Sequence, residues 1–81
     1  MLTIKVLGPG CPNCHKLEEA ARQAAQQMGM QAEFIKVTDP TEIWKYPILG
    51  TPGLVVNEKV VSAGRIPSAP EIMTWLADAA Q

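Results

Sequence analysis

The chain lacks a surplus of charge of either sign. Its 7 lysines and arginines face 8 aspartates and glutamates, for a formal net charge of −1. No basic excess points to nucleic acid, and no acidic run points to a charged tail. Long apolar runs are missing too. The opening Met1-Leu2-Thr3-Ile4-Lys5 has no signal-peptide layout, and its apolar stretch is far shorter than the ~20 residues of a membrane span. A cytoplasmic protein with no membrane partner is expected. There is one histidine, and no internal repeat or low-complexity segment. Cysteine is nearly absent: Cys11 and Cys14 are the two in 81 residues. In a reducing compartment a structural disulfide is not expected, so a close pair reads as redox-active or metal-binding.

What is present suits a globular protein, with 47% hydrophobic and 19% charged residues. The length implies one domain over residues 1–81, at the small end of what folds without staples. The obvious chemistry lies in Cys11-Pro12-Asn13-Cys14, between a short apolar strand and a helix start. Two thiols at the first turn of a helix can close onto each other. The unpaired N–H groups of that turn favour negative charge. Such a position lowers a cysteine's pKa, and the thiolate is the reactive form.

Thr3 to Leu7 reads as a strand ended by the Gly8-Pro9-Gly10 loop, with Lys5 interrupting the apolar run. Pro12 suits the first position of a helix. Leu17, Ala20, Ala21, Ala24, Ala25 and Met28 recur at helical spacing, and Gly29 is a stop signal. Ala32 to Val37 is a second strand. Asp39-Pro40-Thr41-Glu42 opens a helix that Pro47 should end near Lys45 or Tyr46. Leu54–Val56 and Val60–Ala63, joined through Asn57-Glu58-Lys59, form an antiparallel hairpin. Ser68-Ala69-Pro70-Glu71 is a capping box for a last helix with Ile72, Trp75, Leu76 and Ala79 on one face. The order is β-α-β-α-β-β-α, an α/β fold with a four-stranded mixed sheet and three flanking helices. The first two strands should run parallel.

That order, with Cys-Pro-x-Cys directly after the first strand, resembles the thioredoxin-like superfamily, in the register of glutaredoxins and small redox-active disulfide proteins. The segment from Lys45 to Leu54, containing Gly50-Thr51-Pro52-Gly53, resembles the stretch leading into the family's central hairpin. Gly64 matches a family glycine after it. The resemblance implies a dithiol-disulfide oxidoreductase with no bound cofactor and no metal. Cys11 would be the nucleophile and Cys14 the resolving thiol. Pro52 would be cis and face the cysteines, turning the Thr51 backbone toward an extended substrate. Asn13, with Pro12, would tune the potential. Protein or small-molecule disulfides would be the substrates. A thioredoxin-reductase-like protein or a low-molecular-weight thiol would supply electrons, and the chain would act as a monomer. There are departures. Gly10 stands where typical thioredoxins have Trp before the first cysteine, and Lys5 where they have a buried acid. The Gly-Gly pair of glutaredoxins is missing near Ala63-Gly64-Arg65, where Arg65 is the group able to hold a carboxylate.

A second reading remains open. Two thiolates are half of a zinc site or a whole two-coordinate copper(I) site, so the chain would be a metal carrier. Cys11 to His15 also spells a haem-attachment pattern, but one histidine and no leader argue against it. His15 is either a solvated helix position or a cation that favours the Cys11 thiolate. Met28, Met30, Met73 and Trp75 read as core. Trp44 and Tyr46 read as packing under the sheet. Ile48 and Leu49 read as an apolar rim for a docking substrate.

Overall fold

Strand β1 (Leu2–Leu7) is paired on both sides, and this centres the sheet on the segment that leads to the cysteines. The structure is a computed structural model and describes residues 2–80. The sheet runs in the order β2-β1-β3-β4, with β2 at Ala32–Val37, β3 at Gly53–Val56 and β4 at Lys59–Ala63. β1 is parallel to β2 and antiparallel to β3, and β3 is antiparallel to β4. Three helices flank it: α1 (Pro12–Gln27), α2 (Pro40–Ile43) and α3 (Ala69–Ala79). Among the described residues no helix is long and apolar enough to cross a membrane.

The alternation of side chains along a strand divides the core in two. Ile4 and Val6 of β1 and Leu54 and Val56 of β3 face Leu17, Ala21 and Ala24 of α1 and Ile72 and Leu76 of α3. Small alanines on α1 let that helix lie close to the sheet. On the other face Leu7 and Val55 meet Ile43 and Ile48. All four residues of β3 are buried, as a central strand covered on both faces requires. Met28, Met30, Met73 and Trp75 pack at the margin of the larger cluster.

Four local expectations need correction. Helix α2 stops at Ile43, well before Pro47. Asp39 caps it, its carboxylate accepting the Thr41 N–H at 2.9 Å. After one turn the bonds tighten to three-residue spacing, with Lys45 N–H donating to Glu42 and Tyr46 N–H to Ile43. This turns the chain so that Ile48, expected on an exposed rim, comes back under the sheet at 5% exposure. Leu49 alone of that pair stands out, fully exposed. Trp44, expected to pack, caps the outer end of α2 and is 61% exposed. The β3–β4 loop is two residues, not three: Asn57 and Glu58 have φ of 50° and 68°, the positive pair of a tight hairpin turn.

Lys5 lies on the sheet face that carries α2, half-buried. Its ammonium donates to the Tyr46 hydroxyl at 2.9 Å and pairs with Glu58. The hydrogen bond to Glu58 and then that to Tyr46 raise its pKa. The carboxylate held by Arg65 is the chain's own Glu71, gripped through the two terminal guanidinium nitrogens at 3.2 and 2.7 Å. Glu71 also completes the Ser68 capping box. Arg65, helped by the Ser68 backbone, holds the Glu71 carboxyl down at about 2. A carboxyl lowered by folding stabilises above its ordinary range, and the stabilisation is lost as pH falls from 4.5 toward about 2. The pair is exposed, so the effect is small. In thermal melts across that window the parent chain should lose more than Glu71→Gln does, and parallel slopes would refute it.

Candidate active site

The Gly8-Pro9-Gly10 loop joins the end of β1 to the start of α1 and sets the two cysteines on the helix's first turn. Cys11 is the N-cap residue, with extended backbone, and Pro12 follows where no N–H is needed. The Cys11 sulfur accepts the Cys14 N–H at 3.2 Å, the role a serine or aspartate oxygen plays in an ordinary cap. The Cys11 carbonyl accepts the His15 N–H at 3.1 Å. The first turn carries no acidic residue. The helix end therefore presents donors and a positive dipole to sulfur, with no carboxylate in that turn to oppose an anion there.

The two sulfurs lie within disulfide distance, and the Cα atoms are 5.0 Å apart. Their surroundings differ. Cys11 is half-buried at the tip, whereas Cys14 is 5% exposed. Pro12, Asn13 and His15 are exposed on the same turn.

Gly8 holds Cys14 in place. A Cβ built on Gly8 overlaps the Cys14 sulfur, and lies 3.3 Å from the Cys14 Cβ and 3.9 Å from the Thr51 Cβ. The β1 end must therefore be bare for Cys14 to sit against it. The same contacts bring Thr51 to this spot. Thr51 is exposed, Pro52 is buried, and the peptide bond between them is cis. The Pro52 carbonyl accepts the Gly64 N–H at 2.9 Å, tying this loop to the end of β4.

Three further residues belong to this neighbourhood. Gly8 is one. Glu18 lies one helical turn beyond Cys14, and Lys36 reaches over from β2. The Glu18 carboxylate accepts from Arg22 Nε at 3.0 Å and pairs with Lys36 at 3.2 Å. Burial pushes the Glu18 pKa up, but the hydrogen bonds from Arg22 and then Lys36 outweigh it and leave the carboxyl below its ordinary value. The four-residue spacing from Cys14 to Glu18 was the available signal for it. Among the described residues no group of three or more His, Cys, Asp or Glu side chains gathers as a metal would need.

Residues 2–77 match the model of the thioredoxin domain family. A protein named thioredoxin from Methanocaldococcus jannaschii is 39% identical over 72 residues, covering 89% of this chain and 83% of that one. Another thioredoxin, from Methanothermobacter thermautotrophicus, is 38% identical over 72 residues, covering 89% of this chain and 94% of its own. In shape, a thioredoxin-2 described as a component of malaria parasite protein secretion machinery superposes with a TM-score of 0.70. That likeness spans 96% of this chain and 82% of the other at 10% identity, and speaks to fold alone.

Proposed function

The chain belongs to the thioredoxin family of thiol-disulfide oxidoreductases, and from that premise we propose that it reduces disulfides through Cys11 and Cys14 by way of a mixed disulfide. The observation that carries this reading is the asymmetry of the pair: Cys11 caps the helix at the surface, and Cys14 lies buried behind it. The Cys11 thiolate attacks one sulfur of the substrate disulfide. A Cys11–substrate bond forms and the other substrate sulfur leaves as a thiolate. Cys14 then attacks Cys11 as a thiolate, closing the Cys11–Cys14 bond and releasing the second substrate sulfur. Two electrons pass to the substrate, and the leaving thiolates take protons from water.

Thr51 and Pro52 are the substrate platform in this reading. The exposed Thr51 stands beside Cys14, where its backbone can pair with an extended segment of substrate. Pro12 and Asn13 tune the pair, and His15 lies beside it on the exposed side. The substrates are protein or small-molecule disulfides. A reductase or a low-molecular-weight thiol returns the chain to its dithiol form, which suits a cytoplasmic reductant.

The test is turnover. With dithiothreitol as donor, the chain should reduce insulin disulfides many times per molecule. Stoichiometric, tight copper(I) binding by the anaerobic dithiol protein, with no reductase turnover, would replace this reading with that of a metal carrier.

A further inference from the structure

The sheet has two edges, and they are not alike. Strand β4 is bulged: its register against β3 shifts between Leu54 and Val55, which bends that edge away from a flat partner. Strand β2 keeps one register with β1, from Leu2 beside Ala32 to Leu7 beside Val37. The Leu2 N–H donates to the Gln31 carbonyl and the Gly8 N–H to that of Val37, and this fixes the phase. Gln31, Glu33, Ile35 and Val37 turn their backbone groups to β1. Ala32, Phe34 and Lys36 turn theirs outward, where the sheet has no further strand. We infer that this edge is a docking surface for a second copy of the chain, in place of the monomer that the family resemblance implies. The β2 strands of the two copies pair antiparallel and join the two sheets into one.

The side chains of β2 suit a copy of itself. In a two-fold pairing centred on Phe34 the outward groups meet as hydrogen-bonded pairs: Phe34 with its own copy, and Ala32 with Lys36 of the second copy on either side. Phe34 is half-buried, with Arg22 stacked over its ring at 4.6 Å. A groove of about 510 Å³ lies beside it on the α1 face, lined by Ala25, Met30 and Ala32. The second copy's Phe34 enters that groove and meets the first ring. On the other face a groove of about 550 Å³ borders Ile35 and Val37, both half-buried. In the same pairing Glu33 lies opposite Ile35 of the second copy, in the row that continues to that copy's Lys5. Glu33 is exposed and forms no ion pair among the described residues. Lys36 is the one charge on the outward-turned residues, and Glu18 draws it back onto α1 at 3.2 Å. A net charge of −1 per chain opposes association little.

The two-fold makes each of these contacts twice, which an unrelated strand does not. Its axis stands perpendicular to the sheet, so the copies run head to tail. Their Cys11 tips lie at opposite ends of the joined sheet, and neither is covered. Pairing therefore leaves turnover per chain unchanged, and the inference stands apart from the redox reading.

Mass and register are tested separately. In sedimentation equilibrium the reduced protein should rise from 8.8 kDa toward twice that mass as concentration goes from micromolar to millimolar. Ala32→Pro removes an outward N–H at the first residue of an edge strand, where proline is tolerated. The pairing loses that bond twice, so association should weaken at least about tenfold. Insulin reduction per chain should stay at the parent's level. Cross-linking reads the register, and it decides the matter if Ala32→Pro fails to fold. In a chain carrying Cys11→Ser and Cys14→Ser, Phe34→Cys should oxidise to a covalent dimer, since the paired Cα atoms lie about 5.5 Å apart. Glu33→Cys should not, since its two copies lie roughly 8 Å apart, beyond disulfide reach. A parent chain that stays monomeric at millimolar concentration overturns the inference. So does Ala32→Pro dimerising as tightly as the parent, or equal cross-linking at positions 33 and 34. A dimer that shows this cross-link but no insulin turnover would sink the redox reading and leave this one standing.

Discussion

Cys11→Ser should lose disulfide reduction down to the rate of the uncatalysed donor reaction, while its fold and melting behaviour stay close to those of the reduced parent chain. The reason lies in what each sulfur touches. The Cys11 sulfur accepts the Cys14 N–H in the first turn of α1, so it is where the helix end favours negative charge. Serine keeps the cap, because its oxygen accepts that N–H as well as sulfur does. Serine does not ionise at neutral pH, so the nucleophile is gone and the structure is not. Cys14→Ser should behave differently. Attack by Cys11 still occurs, but nothing resolves the product, and the chain should accumulate as a covalent adduct of one substrate per molecule. Mass spectrometry distinguishes the two variants directly. Turnover by Cys11→Ser comparable to the parent's, or a stable adduct on Cys14 and none on Cys11, would reverse the assigned roles.

Gly8→Ala should be the most damaging single methyl near the site. The backbone of Gly8 does not require glycine, since its φ lies outside the left-handed region. The space does, because the new Cβ would fall on the Cys14 sulfur. Crowding of this kind in a packed region costs about 1–3 kcal/mol. The loss should be larger for the oxidised protein than for the reduced one. A free Cys14 thiol can turn about its Cα–Cβ bond to escape, whereas one bonded to Cys11 cannot. Gly10→Ala is the contrast. Gly10 has a φ of 92° with open space around its missing side chain, so alanine there strains the backbone and touches nothing. It should lower stability similarly in both redox forms. Urea midpoints of the two variants, each oxidised and reduced, test the pair. Equal losses in both forms for Gly8→Ala would show that the contact with Cys14 does not matter.

Much of this arrangement was legible from residue patterns. The Asp39 and Ser68 caps, the Pro12 start, the Gly29 stop and the alanine-rich stripe of α1 are local signals, and each fell where local chemistry put it. Parallel and antiparallel pairing followed from what lay between the strands: a helix for β1 and β2, a short turn for β3 and β4. The errors came where tertiary contacts decide. Pro47 marks only the last residue at which α2 can end. The demand that both Ile43 and Ile48 reach Leu7 and Val55 ends it sooner, and leaves Trp44 outside. The contact of Gly8 with Cys14 joins the end of a strand to a helix turn, and no spacing rule announces it. The pairing of Glu18 with Lys36 crosses from helix to sheet and was equally hidden. Lys5 is the plainest such case. Alone it looks like an interruption of an apolar strand, but folded it has Tyr46 and Glu58 as partners from two distant segments.

We propose that Cys11, half-buried at the helix tip, is the nucleophile of the pair and the buried Cys14 its sheltered partner. Alkylation of the reduced protein with a limiting amount of iodoacetamide at neutral pH, read by peptide mapping, tests it most directly. Cys11 should carry nearly all of the label, with Cys14 modified only after unfolding. Equal labelling of both cysteines in the folded protein, or faster labelling of Cys14, would contradict the account.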